Sequence, residues 1–206
     1  MAGSSSIVDV FDMGDFRLET TRDAVKDYGS TIIETQPMSN GVGFIVGRVI
    51  RRLGPDGFGR LRALRFWGHG VNDRPTAYVS FGPPHQRANE TLPPPVFGQY
   101  GVAAAEIHAS AIGFVNFPLV GPMLAPLHPY FASGGRIEFR QCLFGKFPDG
   151  KIVMSEMAKM LGVAVQAPEK SQDRGELWVP PVWEASPAGS VRILPDKDII
   201  EVRERR

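Results

Sequence analysis

Between Gly134 and Gly162 the chain reads GGRIEFRQCLFGKFPDGKIVMSEMAKMLG, and no other stretch limits the possible folds as much. After a Gly-Gly turn, Arg136, Ile137, Glu138, Phe139 and Arg140 have the β-branched and aromatic content of a buried strand. From Ile152 to Leu161 the apolar residues return at three- and four-residue spacing, which predicts a helix, and Gly162 supplies its stop. Cys142, the only cysteine, therefore falls where a strand ends and a glycine-containing loop leads to a helix. In an α/β sheet, ligands and reactive groups collect at such ends.

The same alternation opens the chain. Ile7 to Phe11 predicts a strand, and residues 16–29 a short helix with Thr20, Thr21 and Asp23 as candidate caps. Thr31 to Thr35 predicts a second strand. Gly41 to Leu53 predicts an amphipathic helix with Arg48, Arg51 and Arg52 on its wet side. A Gly-Pro-Asp-Gly turn follows, and Leu61 to Gly68 predicts a third strand that ends at His69-Gly70. Strand–helix–strand succession argues for parallel βαβ units.

From Val71 to Ser133 the pattern loosens. A strand is expected within Thr76 to Phe81, and Pro83-Pro84 and Pro93-Pro94-Pro95 mark loop. Glu106 to Phe114 is ambiguous, and Val120 to Phe131 predicts a short helix broken by prolines. Beyond the opening segment, Val163 to Ala167 predicts a strand, Pro168 to Gly175 an exposed loop, and Val191 to Val202 a hairpin about a Pro-Asp-Lys-Asp turn. The expected architecture is one α/β domain over residues 1–206, with a core over 5–202 and a loop-rich insertion at 71–133. Its mainly parallel sheet would have about five or six strands, helices on both faces and a C-terminal β-hairpin.

Composition narrows the function classes. The chain has 206 residues, 43% hydrophobic and 22% charged, as in ordinary globular proteins. A formal net charge of +1 gives no case for a nucleic-acid partner or an anionic membrane surface. One cysteine cannot build a disulfide framework or, alone, a cysteine-based zinc site. There is neither an apolar run of about 20 residues nor a secretory signal pattern, so a cytoplasmic protein is expected, with signal-independent export left open. His69, His108 and His128 lack metal-ligand spacing, and no cofactor or metal is expected.

Two strand ends then attract attention. In a parallel sheet, neighbouring strands deliver their C-terminal ends to one edge. His69 and Cys142 would thus meet although far apart in sequence. A free thiol has a pKa near 8.5 and needs a neighbouring base to act as a nucleophile at neutral pH. The main-chain N–H groups of Gly70 and Cys142 would then face a developing oxyanion. Taken singly, a cysteine at a strand end is more often a small buried hydrophobe, and a histidine before glycine more often a loop residue.

Strand-His-Gly followed by strand-Gln-Cys-x-x-Gly resembles the caspase-like cysteine peptidases, the group that includes caspases, metacaspases, gingipains, separases and bacterial relatives. Caspases carry Gln-Ala-Cys-x-Gly with the histidine roughly 50 residues upstream. Here Arg140-Gln141-Cys142-Leu143-Phe144-Gly145 places glycine third after the cysteine. The context GGRIEF-x-x-C with the following helix is similar to bacterial domains of that fold. The resemblance implies a three-layer caspase-like sandwich without a metal, a His69–Cys142 dyad, an oxyanion site at Gly70 and Cys142, and a protein or peptide substrate. It also suggests a bacterial effector or defence role. In that family the residue two before the cysteine lines the pocket for the side chain preceding the scissile bond. Arg140 holds that position, Arg17 sits roughly where another pocket arginine occurs, and Gln141 adjoins them. Cleavage after Asp or Glu is the resulting expectation, because a guanidinium pairs with a carboxylate through parallel hydrogen bonds. In the plainer reading, Arg140 bonds Asp12 or Asp15.

Two other function classes are kept: a catalytically silent caspase-like binding or assembly module, and an acyl-transferring cysteine enzyme acting on small substrates. Lesser signals are a glycine-rich entry to the second helix (Gly41, Gly43, Gly47), Trp178 and Trp183 flanking Pro180-Pro181 as a loop over a sheet edge, and Asp173 as a self-cleavage position.

Overall fold

In a computed structural model of the chain, the structure describes residues 6–12, 19–26, 29–35, 41–68, 76–78, 111–141, 143–170, 178 and 180–195. The first strand, β1 (Ser6–Asp12), is followed by α1 (Glu19–Lys26), β2 (Thr31–Thr35), α2 (Gly41–Leu53) and β3 (Leu61–Trp67). A small ribbon pairs β4 (Thr76–Tyr78) with β5 (Ala111–Gly113). Next come α3 (Phe117–Leu124), a 3-10 turn (Ala125–Tyr130), β6 (Phe131–Arg140), α4 (Pro148–Leu161), β7 (Ala164–Pro168), β8 (Val182–Ala185) and β9 (Val191–Ile193).

The main sheet has seven strands in the order β2-β1-β3-β6-β7-β8-β9. The first five are parallel, and β8 and β9 are antiparallel. The molecule is therefore an α/β protein built on a mostly parallel sheet. Side-chain alternation sorts the residues of each strand between two faces. Val8, Val10, Leu64, Phe66, Ile137, Phe139, Val165 and Ala167 join one large core with α2, α3 and α4. On the opposite face Phe11 stacks on Trp67, with ring centroids 5.4 Å apart, and Val25 of α1 closes over them. Helices thus cover both faces, giving the three layers of a sandwich.

Several expectations shift. The Gly-Gly turn lies inside β6: Leu61 pairs with Phe131 but Ala63 with Arg136, so residues 132–135 bulge between them. Gly134 has φ 71, and a Cβ on Gly135 would stand 2.9 Å from the Leu61 carbonyl oxygen. Glycine there bends the strand without breaking the sheet. Thr20, Thr21 and Asp23 lie within α1 and do not precede it. Pro168 belongs to β7, and Trp183 belongs to β8. An antiparallel hairpin forms between β8 and β9, whose first strand the sequence pattern did not announce; β9 is the first arm of the expected Val191 to Val202 hairpin, and residues 196–202 lie outside the described residues. The described part of the expected loop-rich insertion, 111–133, is built of β5, α3, the 3-10 turn and the start of β6, with Val120, Leu124 and Leu127 fully buried.

Candidate functional site

The direction of the crossovers decides where a site can form. The chain leaves β1 toward β2 over one face through α1, and returns from β2 to β3 over the other through α2. After β3, every later strand of the main sheet is added on the far side. Connections therefore diverge between β1 and β3, and at such a switch point the C-terminal strand ends border a crevice. One register row marks that edge: Phe11 stands opposite Trp67, and Trp67 opposite Arg140. His69 lies two residues beyond Trp67, Cys142 two beyond Arg140, and Arg17 six beyond Phe11. His69, Gly70, Cys142 and Arg17 themselves lie outside the described residues.

The described residues around Cys142 are held closely. Gln141 is buried. Leu143 has φ 63, a left-handed conformation that a Cβ-bearing residue seldom adopts. Its N–H donates to the Lys170 carbonyl at 3.2 Å, and its own carbonyl accepts from Lys146 N–H at 3.0 Å. Gly145 N–H donates to the Pro168 carbonyl at 2.8 Å, and a Cβ there would stand 2.7 Å from the Ala167 carbonyl oxygen. The glycine of the Cys-x-x-Gly pattern thus lets the turn dock against the end of β7. Phe144 anchors the same turn by stacking on Phe139, with centroids 4.4 Å apart.

Arg140 is buried beside this turn. Its Nε and Nη2 donate to Glu138 Oε2 at 2.9 and 2.7 Å. Its guanidinium lies 4.0 Å from the Trp178 ring centroid and 5.6 Å from that of Trp67. Glu138 is thus a carboxylate partner of Arg140, and Asp15 of the plainer sequence reading lies outside the described residues. Glu138 also pairs with Arg65 at 3.1 Å and with Arg136. Burial pushes the Glu138 carboxyl up, but Arg140, Arg65 and Arg136 together outweigh it and hold the group at about 2. Burial lowers the Arg140 guanidinium to about 9 against the opposing pull of Glu138, and it stays charged at neutral pH.

This cluster belongs to a longer row that sequence reading missed. Asp9, Arg65, Glu138, Gln166, Glu184 and Arg192 are successive register partners across six strands. Asp9 accepts from Trp67 Nε1 at 2.7 Å and lies 3.8 Å from Arg65. Gln166 donates to Glu184, which also pairs with Arg192, both at 2.9 Å. Burial raises the Asp9 carboxyl despite the pull of Arg65 and the hydrogen bonds from Trp67 and Ser30. The signal was in the sequence: charged residues inside each of three strands otherwise apolar enough to be buried. In a sheet covered on both faces such a charge must find a partner.

His128, one of three histidines considered for a metal, is bonded through Nδ1 to the Leu161 carbonyl at 2.8 Å, at the end of α4. His108 and Asp173 lie outside the described residues. Among the described residues no group of three His, Cys, Asp or Glu side chains is placed to hold a metal, and no helix is long and apolar enough to cross a membrane.

Fold and edge together define the class: a three-layer α/β protein in which a strand bordering the switch point leads into a histidine and its parallel neighbour leads into a cysteine. No protein-family model, curated protein or solved structure matches the chain.

Proposed function

We propose that the chain is a cysteine endopeptidase of the caspase-like kind, working through a His69–Cys142 dyad. The observation that carries this reading is the register row Phe11, Trp67 and Arg140, because His69 and Cys142 each follow it by two residues on hydrogen-bonded parallel neighbours. The parallel centre and antiparallel C-terminal hairpin of the sheet agree with the resemblance. The left-handed Leu143 directly after Cys142 adds support, since backbone strain gathers at functional sites.

In this mechanism His69 takes the thiol proton and the Cys142 sulfur attacks the substrate carbonyl carbon. The oxyanion is met by the N–H groups of Gly70 and Cys142. Collapse expels the amine, which takes the proton from His69, and leaves a thioester. Water then attacks the thioester, releasing the carboxylic acid and restoring the thiol. The proposed preference for Asp or Glu before the scissile bond requires the substrate carboxylate to share Arg140 with Glu138, with Arg17 as the second cation. Gln141 borders the same pocket.

Alkylation tests the dyad. Cys142 in the wild type is expected to react with iodoacetamide at pH 7 at least about tenfold faster than a free thiol, and His69→Ala to abolish that enhancement. No enhancement in the wild type would leave the silent binding module as the better reading. Release of new N-termini from a denatured protein mixture by the wild type, and not by Cys142→Ala, separates a peptidase from an acyl-transferring enzyme. A peptide library cut after Lys or Arg would remove the acidic preference alone.

A further inference from the structure

A second open feature lies at the β2 edge of the sheet. β2 is the edge strand, paired only with β1 among the described residues. Its sequence, TIIET, contains no proline or lysine, its one charged residue, Glu34, is paired with Arg22, and its five register pairs with β1 run without a bulge. Proteins usually block an exposed edge with one of those devices, because its unpaired N–H and C=O groups are a template for another strand.

A groove with a volume of about 890 Å³ follows this edge. α1 contributes Arg22, Asp23 and Lys26 from one face of the sheet, and α2 contributes Phe44, Arg48 and Arg52 from the other. Arg22 is engaged by Asp23 at 2.9 Å and by Glu34 at 3.0 Å. Lys26, Arg48 and Arg52 are exposed and have no carboxylate partner among the described residues. Arg48 stays close to the wall, 5.3 Å from the Phe44 ring centroid.

We propose that the β2 edge takes up an acidic peptide in extended conformation as an additional strand. The cations set the pattern the peptide must carry. Successive side chains of a strand point to opposite faces, and those two apart lie roughly 6.6 Å from each other on one face. Arg48 and Arg52 are four apart on α2, with Cβ atoms about 6 Å apart. Carboxylates at positions i and i+2 of the peptide would meet these two arginines. The residue between them points to the α1 face and would meet Lys26. The motif is therefore three consecutive acidic residues, flanked by β-forming residues that continue the pairing with β2. A nucleic acid would meet the same charges, but a strand edge with no paired strand beyond it among the described residues, and a described lining with one aromatic ring, already held by Arg48, favour a peptide.

The site is independent of the peptidase reading, and its test reads binding, not cleavage. The probe is a fluorescein-labelled heptapeptide with three central glutamates flanked by valine and threonine, followed by fluorescence polarisation in low salt. Saturable binding is expected, weakened at least about tenfold by Arg48→Glu combined with Arg52→Glu, while the far-UV circular dichroism stays unchanged. N-methylation of alternate peptide amides is expected to weaken binding by a similar factor, because it removes donors to the edge while keeping every charge. Absence of saturable binding overturns the proposal. So does full affinity of the N-methylated peptide, which would mean charge attraction without strand addition. Equal or tighter binding of a single-stranded oligonucleotide of matched charge would reassign the groove to nucleic acid.

Discussion

A single carboxylate, that of Glu138, faces three buried guanidinium groups, and the strongest residue-scale consequences follow from it. Glu138→Gln would leave Arg65, Arg136 and Arg140 without their shared counter-charge, and breaking a buried pair from one side costs about 3–5 kcal/mol. Urea unfolding at pH 7 checks this. The pH dependence has a definite sign. The folded-state pKa of Glu138 is depressed from 4.5 to about 2, so its stabilisation is present above pH 4.5 and lost as pH falls toward 2. The loss would be on the order of 3 kcal/mol. Asp9 acts oppositely, since its carboxyl is raised from 3.8 and its protonation on acidification relieves a cost of burial. The wild type is therefore expected to lose more stability between pH 4.5 and pH 2 than Glu138→Gln does. Equal losses in the two proteins would show that Glu138 does not control the acid limb. The alternation of Arg136, Glu138 and Arg140 was legible as part of a strand. Their convergence on one carboxylate, with Arg65 from the neighbouring strand, was not, because it depends on register.

At the scale of elements, the turn from β6 into α4 carries the candidate nucleophile, and Gly145 is the residue on which the turn's fit to β7 depends. Gly145→Ala puts a methyl group 2.7 Å from the Ala167 carbonyl oxygen, which is backbone and cannot swing aside. Overpacking of this kind costs about 1–3 kcal/mol. The turn is expected to move off β7, so the variant should unfold at lower urea and also lose the enhanced alkylation of Cys142. Unchanged alkylation would mean that docking on β7 does not position the thiol. α2, α4 and the strands β1, β2, β3 and β6 were readable because their apolar periodicity agrees with their burial. Strand β8 was missed for a physical reason. Val182 to Ala185 holds only two fully buried residues, and its neighbours Pro180 and Pro181 read as loop, yet it forms a strand by pairing with β7. Pairing partners come from the fold, and a short strand has too little pattern to announce them.

For the whole molecule, the large core draws residues from Val8 to Ala185. Unfolding is expected to be a single cooperative transition. Trp67, Trp178 and Trp183 offer a check, because all three lie around Arg140 or on β8. Tryptophan fluorescence and far-UV circular dichroism should give one coincident urea midpoint, and separate midpoints would mean that the β7–β9 side unfolds on its own. By itself the sequence determined the class of fold, because the period of apolar residues selects strand or helix locally and their alternation selects a mostly parallel sheet. It also determined which strand ends lead into a histidine and a cysteine. Only the tertiary structure decided that β3 and β6 are neighbours in a register that sets Trp67 opposite Arg140. Only it decided that Arg140 pairs with Glu138, that a charged row crosses six strands, and that β2 lies at the edge of the described sheet between basic walls. Each of these is a relation between segments distant in sequence, fixed by sheet order and register, whereas local periodicity constrains only the segment that carries it.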